Sequence, residues 1–116
     1  MLDWNRINEL RGEVGDDEFQ LILELFLDEV EGAMMRLTPG DPLRLETRLH
    51  FLKGCAWNLG FADFGNLCDE AERKVASSRN AEVSIESLLL SYSQSKQALM
   101  QQLDAALHPV RGARRA

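Results

Sequence analysis

Residues 50–60 of the chain read HFLKGCAWNLG and place an imidazole, an ammonium group and a bare backbone close together. At about 100° per residue of a helix, Lys53, Gly54 and Trp57 fall on the same face as His50, and the apolar residues between them point away. This spacing predicts a cluster that faces solvent. An exposed neutral imidazole is a nucleophile near pH 7 and could accept a phosphoryl group.

The neighbours of the imidazole fit the same chemistry. The Lys53 ammonium, one turn from His50, could stabilise phosphate oxygens. Gly54 has no side chain, so it would let a partner's active site approach the ring without a collision. Its position needs an explanation, because an exposed glycine inside a helix costs about 1 kcal/mol relative to alanine. The joint occurrence of these residues on one face favours a functional cluster.

Each of these residues also has a purely structural interpretation. A lone surface histidine is usually inert, and a lysine three residues away is usually a solvated charge. A glycine inside a helix can let another helix come close, and Trp57 could cover a neighbouring helix instead of binding a partner. The residue types alone leave these alternatives open.

The composition limits the class of protein. The 116 residues are 45% hydrophobic and 28% charged, which is typical of one soluble globular domain. No apolar run approaches the roughly 20 residues of a membrane span, and the N-terminal residues lack a signal-peptide pattern, so we expect a cytoplasmic protein with no membrane contact. The net charge is −6, and residues 1–107 carry 10 basic against 19 acidic side chains, which argues against nucleic-acid binding.

Other potential ligands do not form a recognisable site. Cys55 and Cys68 lack CxxC spacing and histidine partners, and they are predicted to be small core residues. His108 has no lysine or glycine in the pattern seen around His50, and the acidic runs GDDEF and DEVE are typical of solvated helix faces. We therefore predict no metal site and no cofactor.

Apolar residues recur every three or four positions between sparse Gly and Pro residues, which predicts successive amphipathic helices. Asp63 is the predicted N-cap of the fourth. The predicted helices cover residues 3–14, 16–37, 42–59, 63–76 and 84–108. The economical architecture is all-α: an up-and-down four-helix bundle with an additional short N-terminal helix. We predict a single domain over residues 1–108 and a disordered basic tail over residues 109–116.

The stretch HFLKGCAWNLGFADFGNLCDEAE, residues 50–72, resembles the core of histidine-containing phosphotransfer domains. The family pattern is a histidine followed by any residue, Leu, Lys and Gly, then small residues, a later Gly, and a helix with Leu and small residues. The matching residues are His50, Leu52, Lys53, Gly54, Ala56, Gly60, Leu67 and Cys68. The length and helix layout extend the resemblance over nearly all of the chain.

The resemblance implies an intermediate of a two-component phosphorelay. His50 would accept a phosphoryl group from a receiver-domain aspartate and pass it to a receiver aspartate. Lys53 would stabilise the phosphate charge, and Gly54 would give steric access. The chain would be a phosphoryl carrier and not an enzyme, because it has no ATP or kinase signature. It would need no cofactor of its own, since the receiver brings Mg²⁺.

Docking is expected to use apolar residues of the second and third helices, and the candidates are Trp57, Leu23 and Leu27. The partners would be receiver domains of response regulators or hybrid histidine kinases, bound by a monomer over a small interface. Trp57 departs from the family pattern, so its ring is either a partner anchor or internal packing. Cys55, at a position often held by Ser or Ala, is a smaller departure. A rival function is an interaction module that binds or sequesters a response regulator without phosphotransfer.

Overall fold

A computed structural model describes the backbone of residues 2–107 and the side chains of residues 2–103. Within this part of the chain the backbone forms five α-helices, and a 3-10 turn (Asn80–Glu82) precedes the last of them. The helices are α1 (Trp4–Val14), α2 (Asp16–Met34), α3 (Pro42–Leu59), α4 (Ala62–Ala76) and α5 (Ile85–Leu107). The all-α helical bundle predicted from the sequence is thus confirmed.

Local sequence sets most of the helix ends. α1 begins after Asp3, whose side chain accepts a hydrogen bond from the Arg6 amide at 3.2 Å. α3 begins in the same way after Asp41, and Pro42 follows at a position where no amide donor is needed. Gly15 ends α1 with a φ of +84°, which a residue with a side chain rarely adopts. α3 has the bounds that the sequence predicted.

Several helix ends differ from the prediction, among them the end of α2 and the start of α4. α2 ends at Met34 instead of near residue 37. The amides of Arg36 and Leu37 donate to carbonyls three residues earlier, as in a 3-10 turn, and not four residues earlier as in an α-helix. α4 begins one residue before Asp63, which therefore lies in its first turn and is not its N-cap. The reason is that the carbonyl of Phe61 already accepts the first helical hydrogen bond.

The apolar stripes of the helices meet in one core, which includes Cys55 and Cys68 as predicted. α3 and α4 run antiparallel, since residues 50, 53 and 57 of α3 contact residues 72, 69 and 65 of α4. The apolar periodicity of the last helix predicts that Leu89 faces the core, but 45% of its surface is exposed. The largest fully buried side chains are Phe19, Phe61, Phe64, Ile7, Leu45, Leu49, Leu52, Leu59 and Leu99.

Leu23 and Leu27 lie inside this core, with only 3% and 6% of their surface exposed. Neither side chain is available to a partner in this structure, contrary to the expectation from the sequence. They share the helical stripe of Phe19, and that stripe faces the other helices. The leucines that α2 exposes are Leu21 and Leu25, which lie on its opposite side.

The turn between α3 and α4 is fixed by α1. Gly60 caps α3 with a φ of +80°, and a Cβ added there would lie 2.7 Å from the Asp3 carbonyl oxygen and 2.8 Å from Cγ1 of Ile7. The Asp3 amide donates a hydrogen bond to the Gly60 carbonyl at 2.7 Å. Backbone conformation and close approach both require glycine here. Together these contacts hold the C-terminal end of α3, the helix that carries His50.

His108 and the predicted tail, residues 109–116, lie outside the described residues. Among the helices that the structure does describe, none is both long and apolar enough to cross a bilayer.

Candidate functional site

His50 lies near the middle of α3 on its outer face, and 70% of its side chain is exposed. Its Nδ1 is 2.9 Å from Oε2 of Glu72 on α4. A carboxylate can only accept a hydrogen bond, so Nδ1 carries the proton and donates it. Within the described part of the chain, Nε2 has no hydrogen-bond partner. The free lone pair of the ring is therefore on Nε2, in a side chain that is mostly exposed.

Lys53 occupies a less open position than the sequence predicts. Only 17% of its side chain is exposed, and its Nζ lies 2.8 Å from Oε1 of Glu72 and 3.3 Å from Oδ1 of Asp69. Pairing with Glu72 raises the pKa of Lys53, while burial opposes the shift. The cation is thus on the histidine's side of α3, as expected, but it is directed into the α3–α4 seam instead of facing solvent.

Asp69 extends this arrangement to a second cation. The Arg73 guanidinium donates to Asp69 through Nε at 3.1 Å and also through its terminal nitrogen. This contact, followed by the one with Lys53, lowers the pKa of Asp69. Side chains of alternating charge therefore follow one another from Arg73 through Asp69 and Lys53 to Glu72, and Glu72 contacts His50. We call these five residues the seam network.

Gly54 is exposed, and a Cβ added to it would meet no atom within 4 Å. Within the described residues no other helix packs closely on it, so helix packing does not explain the missing side chain. The surface beside the histidine is open at this position. Phe51, the residue after His50, exposes 43% of its surface as well.

Trp57 is both partly exposed and packed against a neighbouring helix. About half of the residue is exposed, at 47%. Its ring also covers Gly65 of α4 so closely that a Cβ at Gly65 would lie 2.3 Å from the indole Nε1. The Lys53 ammonium lies 5.6 Å from the ring centroid, which is within the range of a cation–π contact. The ring therefore packs within the domain and still presents surface near the histidine.

The sequence did not indicate that Glu72 and Asp69 are site residues. Both lie in the 50–72 stretch that carries the family resemblance, three positions apart on one face of α4. That spacing was the available signal. Only the antiparallel packing of α4 on α3 places both carboxylates opposite Lys53.

The two cysteines take no part in this cluster. Cys55 and Cys68 are buried free thiols, and burial raises the pKa of Cys68 to about 12. Among the described residues there is no group of three or more His, Cys, Asp or Glu side chains arranged to hold a metal ion.

The chain matches the family model of the Hpt domain over residues 21–113 and belongs to that family. The family implies histidine phosphotransfer in two-component signalling, through domains that are helical bundles and interact with receiver domains. No significant match was found among curated proteins or among solved structures. α1 precedes the matched range.

Proposed function

We propose that this chain is a phosphorelay intermediate whose phosphoryl-accepting group is Nε2 of His50. The observation that carries the proposal is the state of that ring: 70% of the side chain is exposed, and Nδ1 is held by Glu72. An exposed, unpaired ring nitrogen is the nucleophile that a phosphoaspartate requires.

The transfer step balances without any other reactant. The Nε2 lone pair attacks phosphorus, the bond from phosphorus to the aspartyl oxygen breaks, and the aspartate leaves as a carboxylate with the bonding pair. The Nδ1 proton stays in place, so the phosphorylated ring carries a positive charge. The reverse step returns the phosphoryl group to a receiver aspartate. The chain acts as a carrier and not as an enzyme, and Mg²⁺ would come with the receiver, as would the reacting carboxylate.

The surroundings of the ring suit this step. A receiver must bring its active site within reach of Nε2, and the open space over Gly54 allows that approach. Lys53 places a positive charge next to Glu72, the partner of the ring that becomes a phosphoramidate. We place both residues in the transfer site with His50.

The docking surface is proposed to lie on the outer face of α3. The exposed halves of Trp57 and Phe51 flank the open position at Gly54. Trp57 is kept from the sequence prediction, and Phe51 takes the place of the buried Leu23 and Leu27 as an apolar contact for a receiver. A small, short-lived interface of a cytoplasmic monomer, below about 1,200 Å², suits a carrier that must release each partner.

The test is incubation with a receiver domain that carries a labelled phosphoryl group on its aspartate. We expect label on the chain that survives alkali, is lost in acid, and disappears in His50→Gln. His108→Gln is the matched control, because it removes the other histidine of the sequence, and it should be labelled like the wild type.

The same experiment distinguishes a phosphoryl carrier from the rival function, a module that only binds response regulators. A stable complex with the receiver but no label on the wild-type chain would overturn the carrier proposal and favour a module that sequesters response regulators. Label that persists in His50→Gln would show that another residue is the acceptor.

A further inference from the structure

We propose a second binding site in this domain: the cavity between the start of α1, the start of α4 and α5 takes a small uncharged ligand rich in hydroxyl groups, of the class of a monosaccharide or cyclic polyol. The cavity lies apart from the seam network. It borders α4 at Asp63, whereas Glu72 lies about two and a half turns further along that helix. The inference goes beyond the proposed function and does not rest on it.

Two buried serine hydroxyls carry the proposal. Ser91 and Ser95 of α5 are only 8% and 6% exposed, and both residues line the cavity. Within the described part of the chain, neither hydroxyl has a hydrogen-bond partner. A buried polar group without a partner lowers stability, and native proteins almost always supply one. Because these hydroxyls lie at a cavity, we assign them to a bound molecule.

Folding alone does not explain why serines occupy these two positions. They flank the core stripe of α5, which contains Leu88, Tyr92 and Leu99. Alanine is a better helix former than serine and would bury no polar group at the same place. A helix that only had to pack against α1 and α4 would gain nothing from the hydroxyls of Ser91 and Ser95.

The rest of the cavity lining fits the same class of ligand. Gln94 and Gln102 supply amide donors and acceptors, and the partly buried ring of Trp4 supplies an apolar face. The C–H groups of a sugar or polyol ring carry a small positive charge, which suits the negative face of an indole. Asp63, at the border of the cavity, has an interaction partner of its own.

The charge of the lining favours an uncharged ligand. A groove between α4 and α5 continues from the cavity, shares Ser91 and Gln94 with it, and adds the polar side chains of Asn66 and Ser87. Among the described residues that line the cavity or this groove, none is a lysine or an arginine. A phosphate or carboxylate ligand would therefore be buried without a counter-charge, which is costly.

The volume of the cavity limits the size of the ligand. It is about 210 Å³, many times what one water molecule needs. It is also smaller than the roughly 300–1,000 Å³ of pockets for drug-sized ligands. A single sugar or polyol ring lies between these limits.

The binding test uses the full chain, labelled with nitrogen-15, and the probes glucose, galactose and myo-inositol. Titration to about 20 mM, well above the Kd of about 1 mM expected for a ligand of this size, should shift the indole signal of Trp4 in a saturable way with at least one probe. Trp57, the other tryptophan, lies at the α3–α4 seam, and its signal should not move. No saturable shift with any of the three would overturn the proposal.

Charged and aromatic probes test the class of ligand. Glucose 6-phosphate and glucuronate keep the sugar ring and add a negative charge, so we expect them to bind more weakly than glucose. Adenosine tests whether the indole and the amides bind a nucleobase instead. A saturable shift of the Trp4 signal with the anions alone, or with adenosine alone, would overturn the assignment to an uncharged sugar or polyol.

Variants of the two serines test the hydroxyls themselves. Ser91→Ala and Ser95→Ala should each weaken binding by roughly tenfold or more, because a ligand hydroxyl would be left without its partner. Without ligand, both variants should be at least as stable as the wild type in urea denaturation. Ser93→Ala, at an exposed serine of the same helix, is the control and should bind like the wild type. Lower stability of the alanine variants with unchanged affinity would show a structural role and overturn the proposal.

This proposal and the phosphorelay proposal fail separately. His50→Gln should bind the sugar or polyol like the wild type, and the alanine variants should accept the phosphoryl label like the wild type. Label on the chain without binding of any probe would remove only the second site. Binding without label would remove only the carrier function.

Discussion

The imidazole of His50 shows how a surface residue acquires a defined chemical state from one partner. Its exposure follows from its position on α3, but its protonated nitrogen follows from Glu72 on another helix. Lys53 and Trp57 are likewise shared between the surface and the α3–α4 seam, because each contacts α4. The side chains of the site on α3 are thus positioned by contacts with α4.

Gly54 offers a direct test of steric access. Because nothing lies within 4 Å of an added Cβ, Gly54→Ala should raise the free energy of unfolding by up to about 1 kcal/mol, measured by urea denaturation. Gly54→Leu should also fold, but it should slow phosphoryl transfer by roughly tenfold or more, since a small misplacement of reacting groups has effects of that size. Equal transfer rates in the leucine variant and the wild type would mean that the open space has no role.

Trp57 can be tested as an anchor for the receiver. Trp57→Ala should weaken receiver binding by more than about 1 kcal/mol, which is the usual loss at an energetically important interface residue. Titration calorimetry or fluorescence anisotropy would measure it. Trp57→Phe keeps an apolar ring and should retain most of the affinity. If the alanine variant binds the receiver as tightly as the wild type while its stability falls, the ring serves only to cover Gly65.

Among the elements, α1 and the α3–α4 turn depend on each other. The turn at Gly60 admits no side chain, because the Asp3 carbonyl oxygen and Ile7 of α1 occupy the space. Arg6 of α1 adds a hydrogen bond from Nε to the carbonyl of Asn58 at 3.1 Å. The end of the helix that carries the histidine is therefore held by a segment that lies before the family match.

We expect Gly60→Ala to lower the free energy of unfolding by more than about 1 kcal/mol, since it adds a close contact to a positive φ. Thermal and urea denaturation would measure the change. Gly12→Ala is the control, because that glycine lies inside α1 and an added Cβ meets nothing within 4 Å. It should be as stable as the wild type or more so, and an equal loss in both variants would contradict this account of the turn.

The contact between α2 and α5 should make stability depend on pH. Glu31 accepts hydrogen bonds from Lys96 and from Tyr92, each at 2.6 Å, and these bonds lower the pKa of Glu31. A carboxyl group whose pKa is lower in the folded state stabilises the fold above its ordinary pKa of about 4.3, and this contribution is lost as the pH falls through the lowered value.

Glu31→Gln should therefore be less stable than the wild type at pH 7, and the difference should shrink as the pH falls from about 5 to about 3. Urea denaturation at a series of pH values would measure it. Glu24→Gln, an exposed position on the same helix, should follow the wild type throughout. A difference between Glu31→Gln and the wild type that does not vary with pH would show that the ion pair makes no net contribution.

For the whole molecule, charge and apolar surface have different roles. The chain carries a net charge of −6, and the apolar rings near His50 are the contacts proposed for the receiver. Receiver active sites are themselves acidic, so long-range attraction contributes little to the encounter. The partner must be held by local contacts once it has arrived.

This balance predicts how binding responds to salt. Raising the ionic strength from about 20 to about 200 mM should leave receiver affinity unchanged or increase it, because screening removes repulsion between two acidic proteins. Stopped-flow association rates at several salt concentrations would measure the effect. A steep loss of association rate with added salt would instead point to a basic docking surface.

The sequence by itself determined the order of the helices, the outer-face position of His50 on α3 and the resemblance to the family. These depend on local information: apolar periodicity, the caps at Asp3 and Asp41, Pro42 at a helix start, and residue types around His50. Such signals act over one or two helical turns, which a pattern along the chain can capture. The bounds of α3 were predicted correctly for this reason.

Only the tertiary structure decided which side chains His50 contacts. Glu72 reaches His50 across 22 residues of sequence, and Lys53 turns into the seam because α4 packs antiparallel on α3. Packing of the apolar stripe of α2 in the common core buried Leu23 and Leu27, although both were predicted to be docking residues. Contacts of this kind depend on which residues of two helices lie opposite each other. The spacing of residues within one helix contains no information about that.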